Sequence, residues 1–217
     1  MKQAYFFDMD GVLFDSMPNH AQAWADTLVR YGIRFVPSDC YINEGRTSRD
    51  VIRLLAKQQG LYFTDDEIEC IYQEKTDAYR MRGGGKPMPG MLEVLTYLHE
   101  NGVQVWVVTG GGQKDLFDQL EAAFPGIFHQ DRMVTALQVP IGKPRPDPYL
   151  RAWEGSDCSK EDCCVIENAP LGIQAGKAAG LFTIAVNTGP LEDDVLWEAG
   201  ADVVLKNMAQ LLEYLKK

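Results

Sequence analysis

Long apolar runs are missing from this sequence. No stretch reaches the roughly 18 consecutive apolar residues that a membrane-spanning helix needs, so no membrane partner is expected. Positive charge is scarce too: 21 Lys and Arg stand against 31 Asp and Glu, a formal net charge of −10. So acidic a chain repels nucleic acid and anionic lipid, and any anionic substrate has to be attracted by a local site. Cysteine is sparse and odd in number. Cys40, Cys70, Cys158, Cys163 and Cys164 form no C-x-x-C pair, and Cys163-Cys164 falls inside an apolar run where buried thiols are common. Reduced, structural thiols are expected, and with them a cytoplasmic location. Met1-Lys2-Gln3 leads straight into the first strand, without the apolar segment of a secretion signal. Internal repeats and low-complexity segments are also lacking, which excludes a solenoid. A monomer is expected.

What is present is an ordinary globular composition, 46% hydrophobic and 24% charged over 217 residues. That is enough for one large domain or a domain carrying an insert. Tyr5, Phe6 and Phe7 predict a strand buried on both faces, ending in Asp8-Met9-Asp10-Gly11. From Ser16 the pattern turns helical. Ala21, Trp24, Ala25, Leu28 and Val29 share one helix, Val51, Ile52, Leu54 and Leu55 a second. A third opens at Thr64, with Glu67 in capping-box position, and presents Ile68, Ile71, Tyr72 and Tyr79. Gly83-Gly84-Gly85 reads as a flexible return hinge. From Pro87 helices alternate with strands at Val103–Val108, Met133–Thr135, Cys163–Ile166, Leu181–Val186 and Val203–Leu205. Repeated βα units predict a doubly wound, mostly parallel α/β sheet. The expected division is a core of residues 1–15 and 84–217 with an inserted α-helical bundle at 16–83.

Polar residues gather where such strands end, the edge at which ligands of open α/β sheets bind. Asp8 and Asp10 are two carboxylates close enough to repel each other, so a cation or a lysine must offset them. Thr109 leaves a strand into Gly110-Gly111-Gly112, whose backbone N–H groups can approach a phosphate. Lys143 sits in the proline-rich loop Gly142-Lys143-Pro144-Arg145-Pro146-Asp147-Pro148 and can neutralise a carboxylate and a phosphate oxygen. Glu167-Asn168 follows a buried strand and can complete an oxygen-ligand Mg²⁺ site. Taken singly, each has an ordinary alternative: a solvated acid pair, a turn, a loop lysine, a helix N-cap at Asn168.

In that order, D-x-D-G-V-x-x-D-S, the strand threonine, G-K-P-x-P-D-P-Y and E-N-A-x-x-G-x-x-A-G-x-A-A-G resemble the haloacid dehalogenase superfamily. The helical insert is similar to the cap of its β-phosphoglucomutase-like subfamily. The resemblance implies phosphoryl transfer through an aspartyl phosphate on Asp8. It makes Asp10 the general acid/base and its backbone carbonyl a Mg²⁺ ligand alongside Asp8. Thr109 and Lys143 then hold the phosphoryl group, and Glu167 and Asn168 help hold Mg²⁺. Asp10 has to start protonated to assist a leaving group and later accept a proton from water. The superfamily usually carries an acid where Asn168 stands, so Glu167 is an alternative direct ligand.

Substrate choice is expected from the cap. Where β-phosphoglucomutases place a lysine before a glycine, this chain has Glu44. A carboxylate facing a phosphate is unfavourable unless a metal or its waters intervene. Glu44 with Glu167-Asn168 therefore resembles an inorganic pyrophosphatase branch. The alternatives are a β-phosphoglucomutase-like mutase and a phosphatase of small sugar phosphates or phosphoglycolate. Arg46 and Arg49 are candidates for the leaving phosphate, and His20 for the cap entrance. His99 and His129 receive no role. A signalling receiver domain shares the Asp, Thr, Lys and Mg²⁺ pattern but has no large helical insert.

Overall fold

The computed structural model of the chain describes residues 1–111, 116–139 and 141–217. In chain order, β1 (Ala4–Phe7) and β2 (Phe14–Asp15) lead into α1 (Met17–Leu28), α2 (Pro37–Ile42), α3 (Ser48–Gln58) and α4 (Asp65–Arg80). The return strand β3 (Lys86–Pro87) is followed by α5 (Met91–Glu100), β4 (Gln104–Val108), α6 (Leu116–Ala123), β5 (Met133–Val134) and α7 (Asp147–Ser156). The chain ends with β6 (Cys163–Glu167), α8 (Pro170–Ala178), β7 (Phe182–Val186), α9 (Asp193–Glu198), β8 (Val203–Leu205) and α10 (Met208–Leu215).

The main sheet runs β5-β4-β1-β6-β7-β8, and its pairings are parallel. Side chains alternate across it as the pleat requires. Tyr5 and Phe7 face one way, packing with Val105, Val107 and Ile166 against Leu95 of α5, Leu120 of α6 and Leu211 of α10. Ala4 and Phe6 face the other, with Trp106, Val108 and Val165, against Tyr149 of α7 and Ala175 of α8. A strand covered on both faces is why Ala4-Tyr5-Phe6-Phe7 reads as an unbroken apolar run.

The helical block buries a cluster of its own, built on Trp24, Leu28, Val51, Ile52, Leu55, Ile68 and Ile71. Thr64 and Glu67 cap α4 reciprocally, Thr64 N–H donating to Glu67 Oε2 at 2.7 Å and Glu67 N–H to Thr64 Oγ1 at 3.3 Å. Such a cap is worth about 1 kcal/mol. α2 has no counterpart in the sequence reading, because six residues with Cys40 alone buried show no apolar period.

Both crossings between block and core are short strands that pair with each other. β2 and β3 are antiparallel, with Phe14 opposite Pro87 and Asp15 opposite Lys86. The Gly triplet beside them has a conformational reason beyond flexibility. Gly83 and Gly84 have positive φ, and a Cβ on Gly85 would lie 2.7 Å from Ser16 Cβ.

Candidate active site

Register places the chemistry. Phe7 pairs with Val107 on one side and Ile166 on the other, so Asp8, Thr109 and Glu167 emerge together at the C-terminal edge of β1, β4 and β6. Asp8 N–H still donates to Ile166 C=O at 3.0 Å, which fixes its backbone at the sheet edge.

Lys143 reaches this edge from its proline-rich loop. Its ammonium donates to Asp8 Oδ1, to Glu167 Oε1 at 2.6 Å and to Val108 C=O at 3.3 Å. Glu167, only 1% exposed, also accepts Tyr149 O–H at 2.7 Å on Oε1. Its Oε2 accepts the N–H groups of Asn168 at 3.1 Å and Ala169 at 3.4 Å. Both oxygens of Glu167 are thus engaged. A Cβ on Gly172 of α8 would lie 1.8 Å from Glu167 Oε1, so only glycine leaves room for this carboxylate.

One ammonium shared by crowded carboxylates sets the electrostatics. Burial pushes the Asp8 carboxyl up to about 8 although Lys143 pulls it down, and Glu167 and Asp10 add repulsion. Burial disfavours the charge on Lys143, but Asp8 and Glu167 outweigh it and hold the ammonium protonated. Burial, then Asp8 and Glu167, raise Glu44 well above the usual carboxylate range. This site is short of positive charge.

Asp10 belongs to a second network that runs into the helical block. It accepts Ser16 O–H, and His20 Nε2 lies 3.3 Å away. Lys75 Nζ is 2.8 Å from His20 Nδ1. An ammonium can only donate, so Nδ1 accepts and Nε2–H points at Asp10. The His20 ring stacks on Tyr79 at 3.9 Å, and Lys75 lies over the rings of Trp24 and Tyr79. Burial alone would raise Asp10, but His20, Ser16 and Lys75 bring it down to about 2. The resemblance asks Asp10 to begin protonated, whereas in this arrangement it rests as a carboxylate.

Asn168 joins the two layers. Its Nδ2 donates to Glu44 Oε1 at 3.1 Å and to Glu44 Oε2 at 3.0 Å. Gly11, at φ +78°, makes room for that amide; a Cβ there would lie 2.1 Å from Asn168 Nδ2. Asn168 Oδ1 is buried without any hydrogen-bond partner, an expensive state for a carbonyl-type oxygen. No three Asp, Glu, His or Cys side chains converge as a ready-made chelate among the described residues. The resemblance names the Asp8 carboxylate, the Asp10 main-chain carbonyl and Asn168 instead, and of these the buried Asn168 oxygen stands without a partner. Mg²⁺ typically takes a few such hard oxygens and leaves the rest of its shell to water and substrate.

The other expected residues divide. Thr109 is buried, and its Oγ1 accepts Gly111 N–H at 3.0 Å. Gly110 and Gly142 both abut the Gly45 carbonyl, while Gly112 lies outside the described residues. Arg49 is turned to the helical block, donating to Glu69 at 2.7 Å and stacking on Tyr72. Arg46 keeps a buried Nε without an acceptor. Lys75 was not anticipated. Its signal was present, because Ile68, Ile71, Lys75 and Tyr79 recur on one face of α4, and a lysine on an apolar stripe needs a reason.

The model of the family described as haloacid dehalogenase-like hydrolase matches residues 2–180. Hexitol phosphatase A of Escherichia coli is 30% identical over 209 residues, 96% of this chain and 93% of its own length. Glycerol-1-phosphate phosphohydrolase 1 of Saccharomyces cerevisiae is 31% identical, covering 94% of this chain and 82% of its own. A solved β-phosphoglucomutase-like protein of Bacteroides vulgatus superposes with TM-score 0.94 at 45% identity, over 99% of this chain and 88% of its own.

Proposed function

The chain belongs to the haloacid dehalogenase-like hydrolases, and on that premise we propose that it is a Mg²⁺-dependent phosphohydrolase that works through a phosphorylated Asp8 and takes inorganic pyrophosphate. Residues 16–83 act as the lid and residues 1–15 with 84–217 as the catalytic core. One observation carries the chemistry: a buried aspartate at the sheet edge, gripped by a lysine that a second carboxylate holds in place.

Asp8 attacks phosphorus, the bond to the leaving oxygen breaks, and Asp8 carries the phosphoryl group as an acyl phosphate. Lys143 offsets the repulsion between carboxylate and phosphoryl oxygens, and Thr109 contributes its hydroxyl. Asp10 then takes a proton from water, the water oxygen attacks the same phosphorus, the bond from Asp8 to phosphorus breaks, and Asp10 passes its proton to solvent, leaving free Asp8 and inorganic phosphate. When bound, Mg²⁺ supplies positive charge against the phosphoryl oxygens; Asp8, the Asp10 carbonyl and Asn168 Oδ1 would hold it, with Glu167 anchoring Lys143 behind them.

Glu44 and Asp10 support pyrophosphate in particular. Glu44 sets a carboxyl group over the site whose charge burial, Asp8 and Glu167 disfavour; a Mg²⁺-complexed anion brings the cation that favours that charge, and an uncomplexed sugar phosphate does not. Asp10 rests ionised, ready for the hydrolytic step. A departing phosphate needs little protonation, whereas a sugar alkoxide needs a full proton. The second reading, a small monoester substrate, is favoured by the likeness to hexitol phosphatase A and glycerol-1-phosphate phosphohydrolase 1.

A phosphate-release screen with Mg²⁺ separates them, comparing pyrophosphate, a hexitol phosphate, glycerol 1-phosphate and β-glucose 1-phosphate. Pyrophosphate is expected to lead by kcat/KM. A monoester ahead by more than about tenfold ends the pyrophosphate reading and leaves the phosphohydrolase standing. Isomerisation of β-glucose 1-phosphate without phosphate release points to a mutase instead.

A further inference from the structure

An asparagine at a cation site has a choice that an aspartate does not. Rotating its amide by half a turn exchanges an oxygen that binds a cation for an NH₂ group that repels one. In this chain the oxygen and nitrogen of Asn168 have opposite surroundings: Nδ2 faces both oxygens of Glu44, and Oδ1 is buried and unpaired. The side chain is 5% exposed, and Gly11 packs against its amide. Glu44 belongs to the helical block, between α2 and α3, while Asn168 follows β6 in the core. The selecting group and the selected group therefore lie on different layers.

We propose that Glu44 is a positioning residue for the cation site: in its ionised form it can only accept, and by accepting from Asn168 Nδ2 it turns Oδ1 toward the cation. This rests on the Mg²⁺ reading above and goes beyond it, because it assigns Glu44 a role in metal binding that does not involve touching the metal. It also links the lid to the cation. The oxygen is presented when the lid supplies its carboxylate, so by reciprocity Mg²⁺ favours the lid-down arrangement.

A reversal of sign is expected between the two backgrounds. Glu44→Gln introduces an NH₂ that can donate to Asn168 Oδ1, so Mg²⁺ affinity falls, by about tenfold if one ligand is misdirected. In the Asn168→Asp background both ends of the side chain are oxygen and nothing remains to select. There Glu44→Gln only removes a repelling neighbour, and affinity rises. Calorimetric titration of Mg²⁺ into the wild-type chain, both single variants and the double variant reads this directly, without turnover. Weakening in both backgrounds overturns the proposal, because Glu44 then acts as a charge on the cation itself. Equal affinity in all four chains also overturns it. A wild-type chain that binds no Mg²⁺ overturns the metal reading first and this inference with it. If a variant does not fold, amide NMR of the wild-type chain decides. The Asn168 side-chain NH₂ is expected to resist exchange, and more so with Mg²⁺; free exchange in the Mg²⁺-loaded chain refutes the assignment.

Discussion

Replacing Gly172 with alanine sets two ordinary rules against each other. Gly172 lies in the first turn of α8 with an unremarkable helical backbone. There alanine normally stabilises a helix, by up to about 1 kcal/mol. Here the new Cβ would lie 1.8 Å from Glu167 Oε1 and 2.0 Å from its Cδ. Either the carboxylate leaves or the helix start shifts, and both loosen its bonds to Lys143, Tyr149 and the Asn168 and Ala169 amides. Breaking a buried pair costs about 3–5 kcal/mol. The expected net destabilisation is therefore about 2–4 kcal/mol, a Tm lowered by roughly 5–15 °C for a chain of this size. Activity should fall by more than about a hundredfold, since Lys143 loses the partner that aims it. Thermal and urea unfolding beside phosphate release measure both effects. Glu167→Ala removes the obstacle, so in that background Gly172→Ala should become neutral or stabilising, a coupling that a double-mutant cycle reads. A Gly172→Ala chain as stable and as active as the wild type would refute the claim that this glycine exists to admit the carboxylate.

Asp8→Asn should lower turnover by at least about a thousandfold with the fold intact, read by phosphate release and circular dichroism; appreciable residual activity removes Asp8 as nucleophile. Lys75→Met should stabilise the chain at pH 7 and slow it. Burial brings the Lys75 ammonium from 10.5 to about 8 although Cys40 and Asp10 favour its charge, a penalty of about 3 kcal/mol. The unfolded chain holds that proton more tightly, so the penalty is fully present below pH 8 and fades as pH rises toward 10.5. Denaturant titrations across that window should show wild-type stability rising relative to Lys75→Met; parallel curves count against the assignment. Gly11→Ala forces a Cβ at φ +78° into Asn168. It should cost about 1–2 kcal/mol in backbone strain and also weaken Mg²⁺ binding in a calorimetric titration. Unchanged Mg²⁺ affinity would detach Asn168 from the cation site.

The fold was legible where burial leaves a period. Tyr5 to Phe7, Val105 to Val108 and Cys163 to Ile166 are apolar runs because both faces of the sheet are covered, and each run ends in a residue of the site. The pieces that escaped are those without a pattern to read. α2 is six residues long, and β2 and β3 are two each, held by contacts with distant chain rather than by their own propensity. The site divides the same way. Asp8, Thr109, Lys143 and Glu167 announce themselves as polar residues at strand ends or in a rigid loop. Lys75 and Tyr149 act through helix faces, where a chemical residue looks like a packing residue until its neighbours are known. The engagement of both Glu167 oxygens depends on donors from the Lys143 loop, α7 and the residues after β6, and the idle oxygen of Asn168 on an acceptor in the helical block; no local stretch of sequence encodes that.

The pairing of Asp15 with Lys86 has a meaning beyond strand geometry. The block of more than sixty residues between them departs and returns at adjacent points, as a page is bound to a spine. The sheet that carries Asp8 is closed by its own helices and does not depend on the page being one text rather than another. On the proposed function, recognition and reaction would then be written on separate pieces of chain, so that a lineage could rewrite what it recognises while leaving the reaction in print.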